Sequence, residues 1–104
     1  MLYRHGDVLI QKVRKIPADA KKARHVTLAE GEVTGHSHRI KEKDVAEMHV
    51  LNKDRIDEVR YLTVTAKVAT LIHEEHASIE LKQGIYKVWR QREYTPERII
   101  TVRD

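Results

Sequence analysis

Cysteine is absent from this chain of 104 residues. Disulfides, thiolate metal sites and cysteine nucleophiles are therefore excluded, and any bound metal must be held by histidine, aspartate or glutamate. Aromatic residues are also few, since the chain has one Trp, four Tyr and no Phe. Valine, isoleucine and leucine must consequently do most of the packing. No apolar run approaches the roughly 20 residues that a membrane-spanning helix needs, so we expect no membrane association and a cytoplasmic location.

Apolar residues make up 40% of the chain and charged residues 35%, a low apolar share and a high charged share for a globular domain. We therefore expect a single β-rich domain over residues 1–104 with a thin core, and a homo-oligomer, most simply a two-fold dimer. The net charge of +4 with neutral histidines admits a polyanionic partner. Because acidic and basic residues are interspersed, an ordinary solvated surface explains the same charge.

Short β-rich segments separated by turn signals recur along the chain, and no segment keeps a helical period over a useful length. Gly6-Asp7 and Leu81–Gly84 predict turns, and the polar stretch Asn52–Glu58 predicts an exposed loop. Lys67–Ile72 either continues the strand before it or forms the next one. The main strand candidates are Val8–Val13, Val45–Leu51, Val59–Ala66, Lys67–Ile72, Ile85–Tyr94 and Ile99–Val102. The pattern predicts an all-β fold, a small antiparallel β-barrel or sandwich.

Two histidines one residue apart follow a glycine-containing turn. If the run from His36 is a strand, its period of two places His36, His38, Ile40 and Glu42 on one face. That face carries two imidazoles and a carboxylate, which are groups that can hold a divalent ion. The alternative is that these histidines are hydrogen-bonded residues at the end of a barrel and bind no metal.

A second histidine pair, His73 and His76, follows the strand candidate that ends at Ile72. On a straight strand these two side chains would point to opposite faces, but a turn after the strand can aim both at one point. Imidazole and carboxylate ligands suit zinc, nickel, iron or manganese. The candidate ligands of one shared site are His36, His38, His73 and His76, with Glu42, Glu74 or Glu75.

The other three histidines, His5, His25 and His49, stand alone in the sequence and are expected to be surface or core residues. No serine nucleophile with a suitable base, phosphate-binding glycine loop or dinucleotide motif is present. If the protein is an enzyme, a metal must therefore supply the chemistry. The sequence does not decide between catalysis and binding.

The spacing G-x4-H-x-H-x3-E that starts at Gly31 resembles the first metal motif of cupins. In cupins the two histidines and the glutamate of this motif bind the metal, a histidine of a second motif completes the site, and the fold is a small antiparallel β-barrel. The resemblance implies a cupin-like barrel with the ligands His36, His38 and Glu42 and a fourth ligand from His73 or His76.

Three longer strings, Gly31–His36, His73–His76 and Arg90–Pro96, together resemble a group of small uncharacterised proteins encoded in bacterial and phage genomes. This resemblance implies kinship and no particular activity. It is compatible with a phage-related structural or accessory protein whose histidines only pack.

Arg90, Arg92 and Tyr94 share one face of the longest strand candidate. Two guanidinium groups beside an aromatic ring can bind phosphate, carboxylate or single-stranded nucleic acid. The alternative is a solvated face whose arginines pair with acidic neighbours. The sequence thus leaves three functions open: a metal-binding β-barrel, a basic nucleic-acid-associated protein that uses this face, and a structural protein without metal.

Overall fold

The computed structural model describes residues 2–30, 35–90, 92–94 and 99–101, with the backbone alone for the last two segments. Within these ranges the chain forms ten strands and no helix. The strands are β1 (Leu2–His5), β2 (Val8–Val13), β3 (Lys21–Lys22), β4 (Thr27–Glu30), β5 (Ser37–Ile40), β6 (Ala46–Leu51), β7 (Val59–Ile72), β8 (Ile79–Arg90), β9 (Arg92–Tyr94) and β10 (Ile99–Thr101).

Eight of these strands form one antiparallel sheet with the order β1-β2-β8-β7-β5-β4. β6 pairs with β7, and β3 pairs with β6, while β9 and β10 form a separate antiparallel pair. The predicted all-β antiparallel fold is confirmed. No ladder of the described residues joins β1 to β4, so the sheet is open at these two edges. In the part of the chain that the structure covers, no helix has the length and apolar character that a membrane crossing requires.

The strand β7 is the longest element and joins the two halves of the sheet. Its first half pairs with β6, from Val59 to Val64, and its last residues pair with β5. The register with β8 shifts between Val64 and Val68, as expected of a bulge, and a bulge increases the bend and twist of a strand. Lys67–Ile72 is therefore the continuation of the strand before it.

The turn predicted at Leu81–Gly84 is wrong, because β8 runs through it without a break. Gly84 pairs with Val64 in the ladder and has a φ of +148°, a region that favours glycine. A Cβ at this position would lie 2.8 Å from Cε of Lys12. The glycine thus lets the Lys12 side chain cross β8, and it marks a close approach within a strand.

The core lies on the inward faces of the long strands. Val8 and Ile10 of β2 are fully buried, as the alternation of the sequence predicts. Burying one such aliphatic side chain stabilises the fold by about 1.5–3 kcal/mol. The buried residues packed with them include Leu28, Met48, Leu62, Val64, Leu71, Leu81, Tyr86 and Val88. Aliphatic side chains consequently supply most of the packing.

Candidate metal centre

Five histidines, His5, His36, His38, His73 and His76, form what we call the histidine cluster. They come from the end of β1, from the segment that begins β5, and from the loop between β7 and β8. The ring centroids of His38 and His73 lie 4.4 Å apart, and those of His73 and His76 lie 4.7 Å apart. The two histidine pairs seen in the sequence therefore meet in one cluster.

The ladder between β5 and β7 explains this meeting. The two strands pair in antiparallel register up to Arg39 and Ile72. His38 precedes Arg39 and His73 follows Ile72, so the antiparallel register brings these two histidines opposite each other. Because β7 ends at Ile72, the loop that follows turns and can present His73 and His76 on the same side.

A tight turn between β1 and β2 completes the cluster. Gly6 adopts a φ of +64° there, and a Cβ at this position would lie 2.7 Å from Nε2 of His76 and 3.1 Å from Cε1 of His38. Only glycine allows the turn to approach the two rings so closely. Its neighbours His5 and Asp7 are thereby held against the cluster.

The expectation that His5 stands alone is wrong. Its side chain is 2% exposed, and its ring centroid lies 4.9 Å from that of His38. The contact joins segments that are distant in the sequence, so the pattern of neighbouring residues could not indicate it. His25 is exposed and His49 is half-buried on β6, as expected of surface and core residues.

Three residues at the outer side of the cluster, His36, His73 and Glu74, form what we call the outer triad. One ligand atom of each lies within 4.8 Å of a ligand atom of the other two. Nδ1 of His36 is buried and accepts or donates no hydrogen bond among the described residues, although Oε1 of Glu75 lies 3.3 Å away. A buried, unpaired ring nitrogen fits a metal ligand.

Glu74 is held in place by three groups around its carboxylate. Oε1 accepts a hydrogen bond from the Ser37 N–H at 3.1 Å, and Oε2 lies 2.7 Å from Nη1 of Arg39. Hydrogen bonds from the backbone N–H groups of Glu74 itself and of Ser37, together with Arg39, lower the pKa of Glu74 to about 2. The outer triad therefore carries an ionised carboxylate at neutral pH, with lone pairs left for an ion.

One ring nitrogen of His73 is occupied by a hydrogen bond within its own loop. The backbone N–H of Glu75 donates to Nδ1 of His73 at 3.0 Å, so the neutral ring carries its proton on Nε2. Burial and the neighbouring His76 lower the pKa of His73, which favours this neutral form. Metal binding would need either exchange of the Glu75 N–H for the ion at Nδ1, or loss of this hydrogen bond so that Nε2 can bind.

The inner side of the cluster is a hydrogen-bonded chain. Nδ1 of His5 lies 2.9 Å from Nδ1 of His38, and Nε2 of His5 lies 2.8 Å from the carbonyl oxygen of Ala77. Both residues are buried. Burial lowers the pKa of His5, and burial together with the rings of His73 and His5 lowers the pKa of His38 to about 3. Both imidazoles are therefore neutral at neutral pH.

Asp7 connects this inner chain to Arg90. Its Oδ1 lies 3.7 Å from Nε2 of His38, and its Oδ2 accepts a hydrogen bond from Nη1 of Arg90 at 2.7 Å. Arg90 also donates to the carbonyl oxygen of Glu30. Arg90 is thus paired with acceptors of its own chain. This agrees with the alternative to an anion site, in which the arginines pair with acidic neighbours. The side chains of Arg92 and Tyr94 lie outside the described part of the structure.

Glu42 does not extend the face of His36 and His38, because β5 ends at Ile40. Its Oε1 accepts a hydrogen bond from the Thr70 N–H at 2.8 Å, and its Oε2 accepts one from the Thr70 hydroxyl at 2.6 Å. The carboxylate therefore holds β7 beside the end of β5. A role for Glu42 as a metal ligand stays a prediction.

The sequence names the three residues of the outer triad among its candidate ligands without singling them out as a set, and it gives no indication of His5 and Asp7 as ligands. The turn signal Gly6-Asp7 was the available clue, since a histidine, a glycine and an aspartate in a hairpin turn offer two potential ligands at one sheet end. The fold and this site together define an open antiparallel β-sheet protein with a histidine and carboxylate cluster at one end.

The chain belongs to a family described as a domain of unknown function, DUF8820, whose model matches residues 4–91. No curated protein and no solved structure matches the chain. The family confirms the predicted kinship with an uncharacterised group. The resemblance to cupins and the phage-related origin stay predictions.

Proposed function

We propose that this protein binds a divalent transition metal through the outer triad of His36, His73 and Glu74. The observation that carries the proposal is the approach of their three ligand atoms to within 4.8 Å of one another. Two ligands of one tetrahedral zinc ion lie about 3.3–3.6 Å apart, given bond lengths of about 2.0–2.2 Å. Small rotations about the side-chain bonds bring the three atoms to that spacing.

The donor set suits the metals expected from the sequence. Two imidazoles and one carboxylate are borderline and hard ligands, which zinc, nickel, iron and manganese accept. Three protein ligands leave at least one position open in a four-coordinate ion. The bound ion would supply Lewis acidity there, for activation of water or for binding of a substrate oxygen.

The residues of the site have separate tasks. Arg39 and the Ser37 N–H orient the Glu74 carboxylate, as groups around a metal ligand commonly do. His36 offers its unpaired Nδ1. His73 gives up its hydrogen bond from Glu75, which lies at the surface and contributes on the order of 1 kcal/mol.

The test is calorimetric titration of metal-free protein, purified without a histidine tag, with zinc, nickel, iron(II) and manganese(II). We expect saturable binding of at least one ion per chain, weakened at least about tenfold by Glu74→Gln and by His36→Gln. His25→Gln is the matched control, because His25 is exposed and outside the cluster. Absence of binding, or equal binding by wild type and both cluster variants, would contradict the proposal.

Homo-oligomer formation, a cytoplasmic location, a cupin-like relationship and a phage-related role stay predictions. Nucleic-acid binding through Arg90 and Arg92 would have to compete with Asp7 for Arg90. That competition favours the metal hypothesis over the nucleic-acid hypothesis.

A further inference from the structure

The inner side of the histidine cluster has a defined hydrogen-bond direction. The carbonyl oxygen of Ala77 can only accept, so Nε2 of His5 donates to it across 2.8 Å. The ring of His5 is buried. In a neutral ring this proton is the only one, so Nδ1 of His5 presents a lone pair.

The same reasoning continues into His38. Nδ1 of His5 accepts, so Nδ1 of His38 must carry the proton that joins the two atoms across 2.9 Å. A neutral His38 then has no proton on Nε2. The fold thus selects the tautomer of His38 that exposes its Nε2 lone pair.

The lone pair on Nε2 of His38 lies opposite a carboxylate oxygen of Asp7. Oδ1 of Asp7 lies 3.7 Å from Nε2 of His38, and the two side chains are 14% and 3% exposed. Asp7 cannot relieve the contact by turning away, since Arg90 holds its other oxygen at 2.7 Å. Two facing acceptors in a buried site need a cation or a hydrogen-bond donor between them.

The spacing of these two atoms suits an ion. Two ligands of one tetrahedral zinc ion lie about 3.3–3.6 Å apart, given bond lengths of about 2.0–2.2 Å, so the separation of 3.7 Å needs only a slight shift of either side chain. Arg90 orients the Asp7 carboxylate, and His5 orients the His38 imidazole. Metal ligands are usually held by such hydrogen-bonded neighbours. Water can complete the coordination.

We propose that Nε2 of His38 and Oδ1 of Asp7 form a second cation position, separate from the outer triad and suited to zinc or another borderline divalent metal. His5 acts as a positioning residue that sets the tautomer of His38. The ligands of this inner position are independent of the outer triad. The further consequence, a two-metal centre of the kind that binds oxygen substrates between its ions, rests on the proposed function.

The first test counts zinc ions bound per chain by the full-length protein after gel filtration, in wild type, Asp7→Asn and Glu74→Gln. We expect two ions in wild type and one in each variant. A single ion that Glu74→Gln abolishes and Asp7→Asn retains would overturn the inner position and leave the outer site standing. A single ion with the opposite pattern would support the inner position and overturn the outer site.

The remaining outcomes are also decisive. A single ion lost in both variants would show one shared site, which contradicts a second position. No bound zinc in wild type would overturn both proposals.

The second test needs no variant, so it holds even if Asp7→Asn fails to fold. Nitrogen-15 correlation spectra of the metal-free wild type report which ring nitrogen of each histidine carries the proton. We expect the proton of His38 on Nδ1 and that of His5 on Nε2. A proton on Nε2 of His38, or two protons on His5, would overturn the inner position.

Discussion

The inner and the outer side of the histidine cluster differ in burial and in hydrogen bonding. The inner side, made of His5, His38 and Asp7, is buried, and its donors and acceptors are fixed by Ala77 and Arg90. The outer triad is partly exposed and carries an ionised glutamate. The ligands of the inner side are therefore already oriented for an ion, but they are buried from solvent. The outer side is open to solvent, but His73 must lose its hydrogen bond from Glu75 before it binds an ion.

This difference follows from where each side lies in the sheet. Inner residues sit on or beside paired strands, where ladders fix the backbone, and outer residues lie at the entry to β5 and in the loop after β7. Loops rearrange more easily than paired strands. We expect the outer ion to exchange faster than the inner ion for that reason.

Acidification should affect the inner side most strongly. The pKa of His38 is about 3 in the fold against 6.5 for an unperturbed histidine, so the unfolded chain binds more protons between these values. Stability is complete above pH 6.5 and falls as the pH drops through that window, by about 1.4 kcal/mol per pH unit for this group. Between pH 6.5 and 5 the expected loss is about 2 kcal/mol from His38, and His5 adds to it.

Urea unfolding of metal-free protein between pH 7 and 5 measures this loss before most carboxylates titrate. His38→Gln should flatten the dependence, and His25→Gln should keep it. A wild-type stability that does not change over this range would show that the inner imidazoles are not held neutral.

The turn at Gly6 offers the next largest effect. Gly6→Ala should lower stability by about 1–3 kcal/mol, because alanine at a positive φ is strained and its Cβ would meet His76 and His38. Gly35→Ala is a matched control, since Gly35 also has a positive φ but no atom within 4 Å of the added carbon. Thermal unfolding of both variants should show the larger loss at Gly6. Equal losses would mean that the turn does not press on the rings.

Removal of Arg39 tests the support of the outer triad. Arg39→Met keeps the length of the side chain but removes the guanidinium that lies 2.7 Å from Glu74. We expect metal affinity to fall by about tenfold or somewhat more, as for other groups that orient ligands. The count of inner ions should not change. Calorimetry on Arg39→Met and on a second surface variant, Arg55→Met, separates this effect from a general loss of charge.

Glu42→Gln should have the smallest effect on metal. Its carboxylate is exposed and bonded to Thr70, so the variant should lower stability only slightly and leave metal affinity as it is. A loss of metal in Glu42→Gln as large as that in Glu74→Gln would restore Glu42 as a ligand.

Much of the fold could be predicted from the sequence, because alternating apolar residues report the buried face of a strand directly. Gly84 shows the limit of this reasoning. A glycine in a sequence is compatible with a turn and with a close approach inside a strand. At Gly84, only the contact with Lys12 in the structure shows that the second explanation is correct. Glu42 shows a second limit, since a period of two holds only while the strand lasts, and β5 ends at Ile40.

Some residues of the candidate site could also be predicted from the sequence, and others could not. The pairs His36 and His38, and His73 and His76, could be predicted because each is local in sequence. His5 and Asp7 could not, since they reach the cluster through the curvature of the sheet.

The most direct test of the account is anomalous diffraction from crystals of the tag-free protein grown with zinc. Data collected on both sides of the zinc absorption edge place the ions without reference to the protein. The account predicts a peak about 2.0–2.2 Å from a ring nitrogen of His36, a ring nitrogen of His73 and a carboxylate oxygen of Glu74. Zinc peaks found only away from the histidine cluster, or no peak at all, would contradict it.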